Sequence, residues 1–225
     1  MSYMFHSCVS LTSLNLKKLD TSKVKYMNQM FFRCYSLEKF DFSNFNTSEV
    51  INMEGMFDFC ISLQYLDLSN FDTSKVTDMS FLFAAAKNLI SVDLSNFNTQ
   101  NVITMSHMFY ACHSLIELDL SSFDVSNLKS MWLMFNECKS IKSLNLSNFY
   151  TQNIENMGGV FSQCENLCMI DIRNFDSSSL KTKETNLFLY IGFEGTIYYN
   201  SKIFGHNLLD FDRINNWTQI DVKDN

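Results

Sequence analysis

The chain has 225 residues, of which 46% are hydrophobic and 15% aromatic, so it can bury a large core and does not have the composition of a disordered protein. A net charge of −7 argues against the basic face that a protein needs to follow nucleic-acid phosphates. No apolar run reaches the roughly 18 residues that a membrane-spanning helix requires, so no membrane span is predicted. The N-terminal MSYMFHSCVSL lacks the basic and apolar segments of a signal peptide, and none is predicted.

One unit of 26 residues is repeated along most of the chain. Phe keeps this step at seven positions: Phe5, Phe31, Phe57, Phe83, Phe109, Phe135 and Phe161. Met and Cys form further columns with the same step, and Ala86 takes the place of Cys in one copy. Seven copies without insertion or deletion predict a solenoid, in which each unit buries its apolar surface against its neighbours.

Each unit divides into two segments by the spacing of its apolar residues. Apolar and polar residues alternate around Leu66, Asp67 and Leu68, which predicts a short strand with Asp67 outward. Val76, Met79, Leu82 and Phe83 follow at helical spacing, which predicts a short helix with Thr73–Ser74 as its N-cap. The predicted fold is therefore an α/β repeat. It is a right-handed, leucine-rich-repeat-like solenoid of seven units, with one parallel strand on the concave side and one helix on the convex side of each.

The two ends of the array differ. Residues 1–181 are predicted to form the repeats, the first beginning in mid-unit, and residues 182–225 to form an atypical C-terminal cap. Within the cap, the pattern predicts a strand at 195–199, a helix from about Ile203 to Ile214 and a last strand at 217–222. No capping segment precedes Met1, so self-association through an uncapped N-terminal edge is a further expectation.

The segment LDLSNFDTSKVTDMSFLFAAAKNL at 66–89 resembles the repeat of BspA-like leucine-rich-repeat surface proteins, a variant also found in mycoplasma lipoproteins. The resemblance covers essentially the whole chain, although Phe149–Gln152 and Phe175–Ser178 depart from the pattern. It implies a cell-surface or secreted protein that takes part in adhesion and protein binding. The family supplies no catalytic residues to transfer.

A ladder of acidic residues marks the outward position of the predicted strands. It consists of Asp41, Asp67, Asp93, Asp119 and Asp171, with Asn15 and Asn145 at the equivalent positions of two other copies. In-register strands would place neighbouring carboxylates about 5 Å apart, and the repulsion between them should raise some pKa values. The ladder is either a surface for cations or a basic partner, or a solvated structural side chain that was copied with the unit.

Positions beside the ladder vary from copy to copy, and variation on a common scaffold is how repeat proteins distinguish partners. Tyr65, Ile90 and Ile116 could form an apolar strip there, with Tyr65 as the anchor. Neutral drift on an exposed surface would give the same variation. The Cys column has neither the spacing nor the His partners of a zinc site, so buried thiols are predicted, with Cys168 partly exposed.

The sequence predicts a non-catalytic scaffold that binds a protein or glycan through the concave sheet and its rims, without cofactor, metal or nucleic acid. A structural stalk of a larger surface protein is the alternative. A carbohydrate-processing solenoid that uses Asp67, Asp93 and Asp119 is a third hypothesis, but a uniform ladder lacks a differentiated acid and base.

Overall fold

Two columns of parallel pairing run along the stacked repeats in the computed structural model, which describes residues 1–181, 186–204 and 214–222. The strands are β1 (Tyr65–Asp67), β2 (Ser91–Asp93), β3 (Ser143–Asn145), β4 (Met169–Asp171), β5 (Thr196–Tyr199) and β6 (Thr218–Asp221). β1 pairs with β2, and the other four form one parallel sheet in the order β3-β4-β5-β6. A second column of parallel bridges joins Tyr26, Asn52, Asp78, Thr104, Ser130 and Asn156. The fold is thus a parallel-strand β-solenoid of about six turns.

Four of the seven repeats form the predicted strand, and the equivalent residues 13–15, 39–41 and 117–119 are not in strands. Where a strand is present, it matches the sequence pattern in position and facing. In β1, Leu66 is buried while Tyr65 and Asp67 are exposed. Leu66 pairs with Val92, and Leu144 pairs with Ile170, so each inward side chain lies on its equivalent in the next repeat. This register keeps the outward Asp67 and Asp93 adjacent, as expected from the period of two along a strand.

The predicted helix is wrong, because the described residues contain no helix. Its place is taken by a turn run, which is residues 79–86 in one copy and the equivalent eight residues in the others. Backbone N–H groups of alternate residues in this run donate to the next repeat, Met79 to Thr104 O at 3.1 Å and Phe83 to Met108 O at 2.9 Å. Leu82, Ala84 and Ala86 donate three residues back, Ala86 to Phe83 O at 3.2 Å. Ser80 N donates instead to Asp78 Oδ1 at 2.9 Å.

Left-handed backbone explains how the turn run differs from a helix. Phe81 has φ 58° and Ala85 φ 50°, and the equivalent positions of the other copies are also left-handed. Each such non-glycine residue costs about 1 kcal/mol. The hydrogen bonds that alternate residues donate to the next repeat offset this cost. In a helix the same N–H groups would bond within their own segment, and these bonds between repeats would be lost. Met79, Leu82 and Phe83 still point inward, so overlapping turns reproduce the apolar spacing of a helix.

A continuous stack of Phe rings forms the centre of the core. The repeated Phe residues pack face to face from Phe5 to Phe161, and Phe188 extends the stack beyond the repeats. The ring centroids of Phe57 and Phe83 are 5.9 Å apart, with an interplanar angle of 3°. Such pairs contribute about 0.5–1.5 kcal/mol beyond the area they bury. The repeated Met residues from Met27 to Met157 are buried in the same core.

The predicted N-cap has another role. The hydroxyl of buried Thr73 donates to Asn98 O at 2.9 Å and accepts from Asn98 N at 2.8 Å, so it joins two repeats rather than capping a helix. Thr47, Thr99 and Thr151 make the same pair of bonds. Val125 occupies the position in one copy and has no hydroxyl for it.

The cysteines are free, and five of them are buried, as predicted for the column. The thiol of Cys60 donates to Phe31 O at 3.2 Å, and the other four buried thiols make the equivalent contact to the preceding repeat. Burial raises the pKa of Cys34 to about 11 and that of Cys164 to about 12. Cys168 is exposed, as predicted, but Cys8, the column member in the first repeat, is also exposed, so the prediction of a buried thiol is wrong at that position.

The C-terminal segment continues the sheet. β5 and β6 fall where the sequence predicts the two terminal strands. The helix predicted from about Ile203 to Ile214 lies largely outside the described residues, and the domain division at 181/182 stays a prediction. No part of the described chain forms a helix that could cross a membrane.

Candidate ligand-binding face

The acidic ladder lies on the strand face, which we define as the outward side chains of β1–β4 and of the equivalent positions in the other repeats. Each carboxylate closes a tight turn by accepting a hydrogen bond from the backbone two residues on. Asp67 Oδ1 accepts from Ser69 N at 3.0 Å, and Asp93 Oδ1 from Ser95 N at 2.9 Å. Asp41 and Asp119 make the same bond. The ladder therefore has a structural role in every repeat, whatever it binds.

The expectation of raised pKa values in this ladder is wrong. Hydrogen bonds from Ser69 lower the pKa of Asp67, and those from Ser95 lower the pKa of Asp93. The pKa values of Asp41 and Asp119 are lowered by Ser43 and Ser121 in the same way. Repulsion from the neighbouring carboxylate raises the pKa only as a smaller cause, because the groups are solvated and water screens the charges. The four carboxylates are ionised at neutral pH.

Asp171 differs from the rest of the ladder. Arg173 donates through Nε to both carboxylate oxygens, at 2.9 and 3.0 Å, and through Nη2 to Oδ2. The Arg173 guanidinium also lies 6.0 Å from the Tyr198 ring centroid. Because its charge is paired with Arg173, Asp171 is less available to bind a cationic partner than the other four ladder carboxylates, those of Asp41, Asp67, Asp93 and Asp119.

The variable residues beside the ladder differ in exposure. Tyr65 is 63% exposed and Ile116 49% exposed, whereas Ile90 is half-buried. Tyr65 pairs with Ser91 in the strand register, so it lies one column away from Ile90 and Ile116. The three do not form one strip, and Tyr65 stands as a single aromatic side chain next to the ladder.

Two open depressions connect these groups. The first has a volume of about 550 Å³ and is lined by Lys39, Phe40, Tyr65, Leu66, Asp67, Ser69, Ser91 and Asp93. The second has a volume of about 460 Å³ and is lined by Ser91, Val92, Asp93, Glu117, Leu118, Asp119, Ser143 and Asn145. Because they share Ser91 and Asp93, they form one continuous groove, which we call the acidic groove.

Four carboxylates of the acidic groove belong to Asp67, Asp93, Glu117 and Asp119, and Lys39 is the only basic residue among those that line it. Within the described residues, no three His, Cys, Asp or Glu side chains lie close enough to hold a metal ion. The groove can therefore attract positive charge through spaced carboxylates.

Sequence reasoning missed a cluster on the opposite side of the repeat. Trp132, His107 and Tyr110 project from the turn runs of two neighbouring copies, on what was predicted to be a helix surface, and pack against one another. The sequence contained a signal, because Trp132 is the only aromatic residue in its column and its neighbours there are Ser106 and Gly158.

A family model matches residues 1–114 and 85–197. The chain belongs to the family described as "Mycoplasma protein of unknown function, DUF285". The two overlapping matches cover the region in which the 26-residue units are stacked, so the family corresponds to the solenoid. No curated protein matches the chain. The description of DUF285 assigns no activity.

Proposed function

We propose that the chain is a non-catalytic scaffold that holds a positively charged, extended segment of a partner protein in the acidic groove. The observation that carries this proposal is the continuous groove with four carboxylates and a single lining lysine. Ionised groups of one sign attract an oppositely charged partner and accelerate its encounter with the surface.

The fixed orientation of the carboxylates supports the proposal. Because Ser69 and Ser95 hold Asp67 and Asp93 in one rotamer, less side-chain entropy is lost when these groups bind a cation. Each carboxylate has about four acceptor directions, so the bond from serine leaves others for a Lys or Arg of the partner.

Tyr65 supplies the apolar contact. It lines the first depression beside Asp67, and a large aromatic ring beside charged groups is typical of the residues that dominate interface energy. A segment with alternating Lys or Arg and apolar residues would place its cations on the carboxylates and an apolar side chain against Tyr65.

The uniform ladder argues against a hydrolase. General acid–base catalysis by two carboxylates needs pKa values that are pushed apart. The pKa values of Asp67, Asp93 and Asp119 are all lowered by the same kind of hydrogen bond.

The resemblance to BspA-like leucine-rich-repeat surface proteins is consistent with an adhesion-type role at the cell surface, and we include both in the proposal. A stalk of a larger surface protein is the second candidate. The unbroken Phe stack from Phe5 to Phe188 favours it, because such a core gives a stiff rod whatever its surface binds.

The test uses a fluorescent peptide of alternating Lys and Val, with a peptide of alternating Glu and Val as its control. We expect the chain to bind only the Lys peptide, with an affinity that falls as salt is added. The triple variant Asp67→Asn, Asp93→Asn, Asp119→Asn should weaken binding about tenfold or more, and Tyr65→Ala should weaken it several-fold.

Trp132→Ala is the matched control, since it removes an exposed aromatic residue from the opposite side and should leave peptide binding unchanged. Equal binding of both peptides, or unchanged binding by the triple variant, would contradict the proposal. A chain that binds neither peptide would favour the stalk.

A further inference from the structure

An aromatic cluster lies on the turn face, which we define as the outward side chains of the turn runs. The His107 ring stacks on Phe81, with centroids 4.3 Å apart and an interplanar angle of 10°. Trp132 meets His107 at 4.8 Å and 81°, and Tyr110 meets it at 5.5 Å and 70°. His107 is thus the centre of the cluster and fixes the orientation of the Trp132 ring.

Small neighbours leave Trp132 open to solvent. In its column, Ser106 precedes it and Gly158 follows it, and the indole is 45% exposed. A Cβ at Gly158 would lie 3.3 Å from Trp132 Cδ1, so even an alanine there would crowd the ring. The array therefore presents a large flat aromatic ring that its own neighbours do not cover.

Hydrogen-bonding groups continue from the cluster along the same face. Tyr110 donates to Glu137 Oε1 at 3.2 Å, and Glu137 Oε2 lies 3.3 Å from His113 Nε2. The side chains of His113 and Glu137 are 31% and 24% exposed, so the pair is reachable from solvent. Tyr110 connects the two parts, because it contacts His107 with its ring and Glu137 with its hydroxyl.

A chain of hydroxyl groups borders Trp132. Ser80 contacts Thr104 at 2.9 Å, Thr104 donates to Ser106 at 3.2 Å, and Ser106 contacts Ser130 at 2.7 Å. Trp132 N donates to Ser130 Oγ at 3.4 Å, which ties the end of this chain to the indole residue. Neutral hydroxyl groups therefore lie next to the residue that carries the indole.

We propose that this surface, formed by Trp132, Tyr110, Glu137, His113 and the bordering hydroxyls, binds a neutral oligosaccharide. A sugar ring presents C–H groups on its faces and hydroxyls on its edge. A flat, exposed indole suits the faces, and mixed donors and acceptors at its side suit the hydroxyls. This site lies on a different face from the acidic groove and does not depend on it.

The charge of the cluster separates this ligand from others. Glu137 disfavours an anion, and this single carboxylate attracts a cationic partner less than the four carboxylates of the acidic groove do. Burial lowers the pKa of His107, which keeps that ring neutral. Lys139 is paired with Glu165 at 2.8 Å instead of joining the cluster. A neutral polyhydroxylated ligand satisfies these groups without adding charge.

Tryptophan fluorescence reports on this site directly. The chain has two Trp residues, and Trp217 is 4% exposed, with its Nε1 donating to Gly192 O. Acrylamide quenching therefore reports mainly on Trp132. We expect one or more of cellotetraose, chitotetraose and mannotetraose, tested at up to millimolar concentration, to protect Trp132 from quenching.

Calorimetry with the protecting sugar then tests the residues. Trp132→Ala should weaken binding about tenfold or more, Trp132→Phe by less, and Glu137→Gln several-fold. Tyr150→Ala removes another exposed aromatic residue away from the cluster and should bind as the wild type does. Protection by no sugar, protection by the Lys–Val peptide instead, or equal loss in Tyr150→Ala would overturn the proposal. The results with the sugars do not bear on the acidic groove, which the peptide test with Tyr65→Ala decides separately.

Discussion

The strand face and the turn face are built from the same 26 residues but use them differently. On the strand face, the outward position is nearly constant, and its carboxylate closes a turn in each copy. On the turn face, the repeated side chains are buried from the second repeat onward, and the outward positions change from Ser106 to Trp132 to Gly158. An outward residue that is constant from copy to copy therefore indicates a structural role within each repeat. An outward residue that changes has no such role and can provide a surface specific to one repeat.

The two regions also differ in how they hold the repeats together. A strand contributes three residues to the ladder, as β1 and β2 do. A turn run contributes four backbone bonds to the next repeat, from Met79, Phe81, Phe83 and Ala85, together with the stacked Phe ring. We infer that the turn runs stabilise the stack more than the strands do.

The largest expected effect comes from the Phe stack. Phe83→Ala leaves a cavity between Phe57 and Phe109, 5.9 and 5.4 Å away, and should lower the free energy of unfolding by about 3–5 kcal/mol. Tyr65→Ala removes an exposed ring from the strand face and should change it by less than about 0.5 kcal/mol. Urea denaturation measures both, and equal losses would refute the assignment of the main core to the turn runs.

A buried carboxyl in the turn run should make stability depend on pH. Burial is the main cause that raises the pKa of Asp58 to about 7 from its ordinary 3.8, while Arg33 opposes the shift and Glu54 adds to it. The folded chain holds this proton more tightly than the unfolded chain, so the stabilising contribution is full below pH 3.8 and is lost as pH rises towards 7.

Asp58→Asn should remove that dependence, and Asn136 already occupies the equivalent position in another copy. The variant should gain up to a few kcal/mol over the wild type between pH 4 and pH 8, since a tenfold change in acid dissociation corresponds to about 1.4 kcal/mol. Thermal melting across this range measures the difference. A difference that does not change with pH would show that Asp58 titrates normally.

Substitutions in the Thr column should change the free energy of unfolding by a smaller amount. Removing a hydroxyl should lower this free energy, and adding one where it is missing should raise it. Thr99→Val removes the bonds with Asp124 O and N, both at 2.8 Å, and should cost about 1–2 kcal/mol. Val125→Thr places a hydroxyl at the equivalent position beside Tyr150 and should stabilise by about 1 kcal/mol. Denaturation of the two variants and of their double variant provides the test, and destabilisation by Val125→Thr would contradict it.

The smallest effect is expected on the strand face. Asp93→Asn should shift the melting temperature at pH 7 by no more than about 2 °C, because Asn15 and Asn145 already accept the same backbone bond. The pKa of Asp93 is lowered, so its contribution is present above the ordinary pKa and is lost as pH falls. A large loss at neutral pH would mean that the charge, and not the acceptor, closes the turn.

The sequence predicted the repeat correctly from its constant step of 26 residues. It also predicted the inward Leu66 and the outward Asp67 correctly, because alternation of apolar and polar residues is typical of a strand with one buried side. It did not distinguish a helix from the turn run, since both place Met79, Leu82 and Phe83 on one side. The left-handed residues Phe81 and Ala85 carry no local signal, because neither residue type favours that conformation.

The sequence likewise predicted some features of the candidate sites and not others. Tyr65 and the ladder were visible because they interrupt or continue a column next to a predicted strand. The shift of one column between Tyr65 and Ile90 follows from the 26-residue step, which places Tyr65 beside Ser91, so the sequence already contained it. The pairing of Asp171 with Arg173 depends on side-chain geometry. The Trp132 cluster could not be inferred from separate helices, because the contact between His107 and Trp132 joins the turn runs of two neighbouring copies.

The reactivity of the buried thiols would also show where along the chain neighbouring repeats separate. Cys34, Cys60, Cys112, Cys138 and Cys164 lie in five different repeats, each shielded in the native state, while Cys8 and Cys168 are accessible. An alkylating reagent should label the two accessible cysteines at once and each shielded one only when its repeat separates from the preceding one. Mass spectrometry of the labelling order would show whether the array unravels from an end or comes apart as one unit.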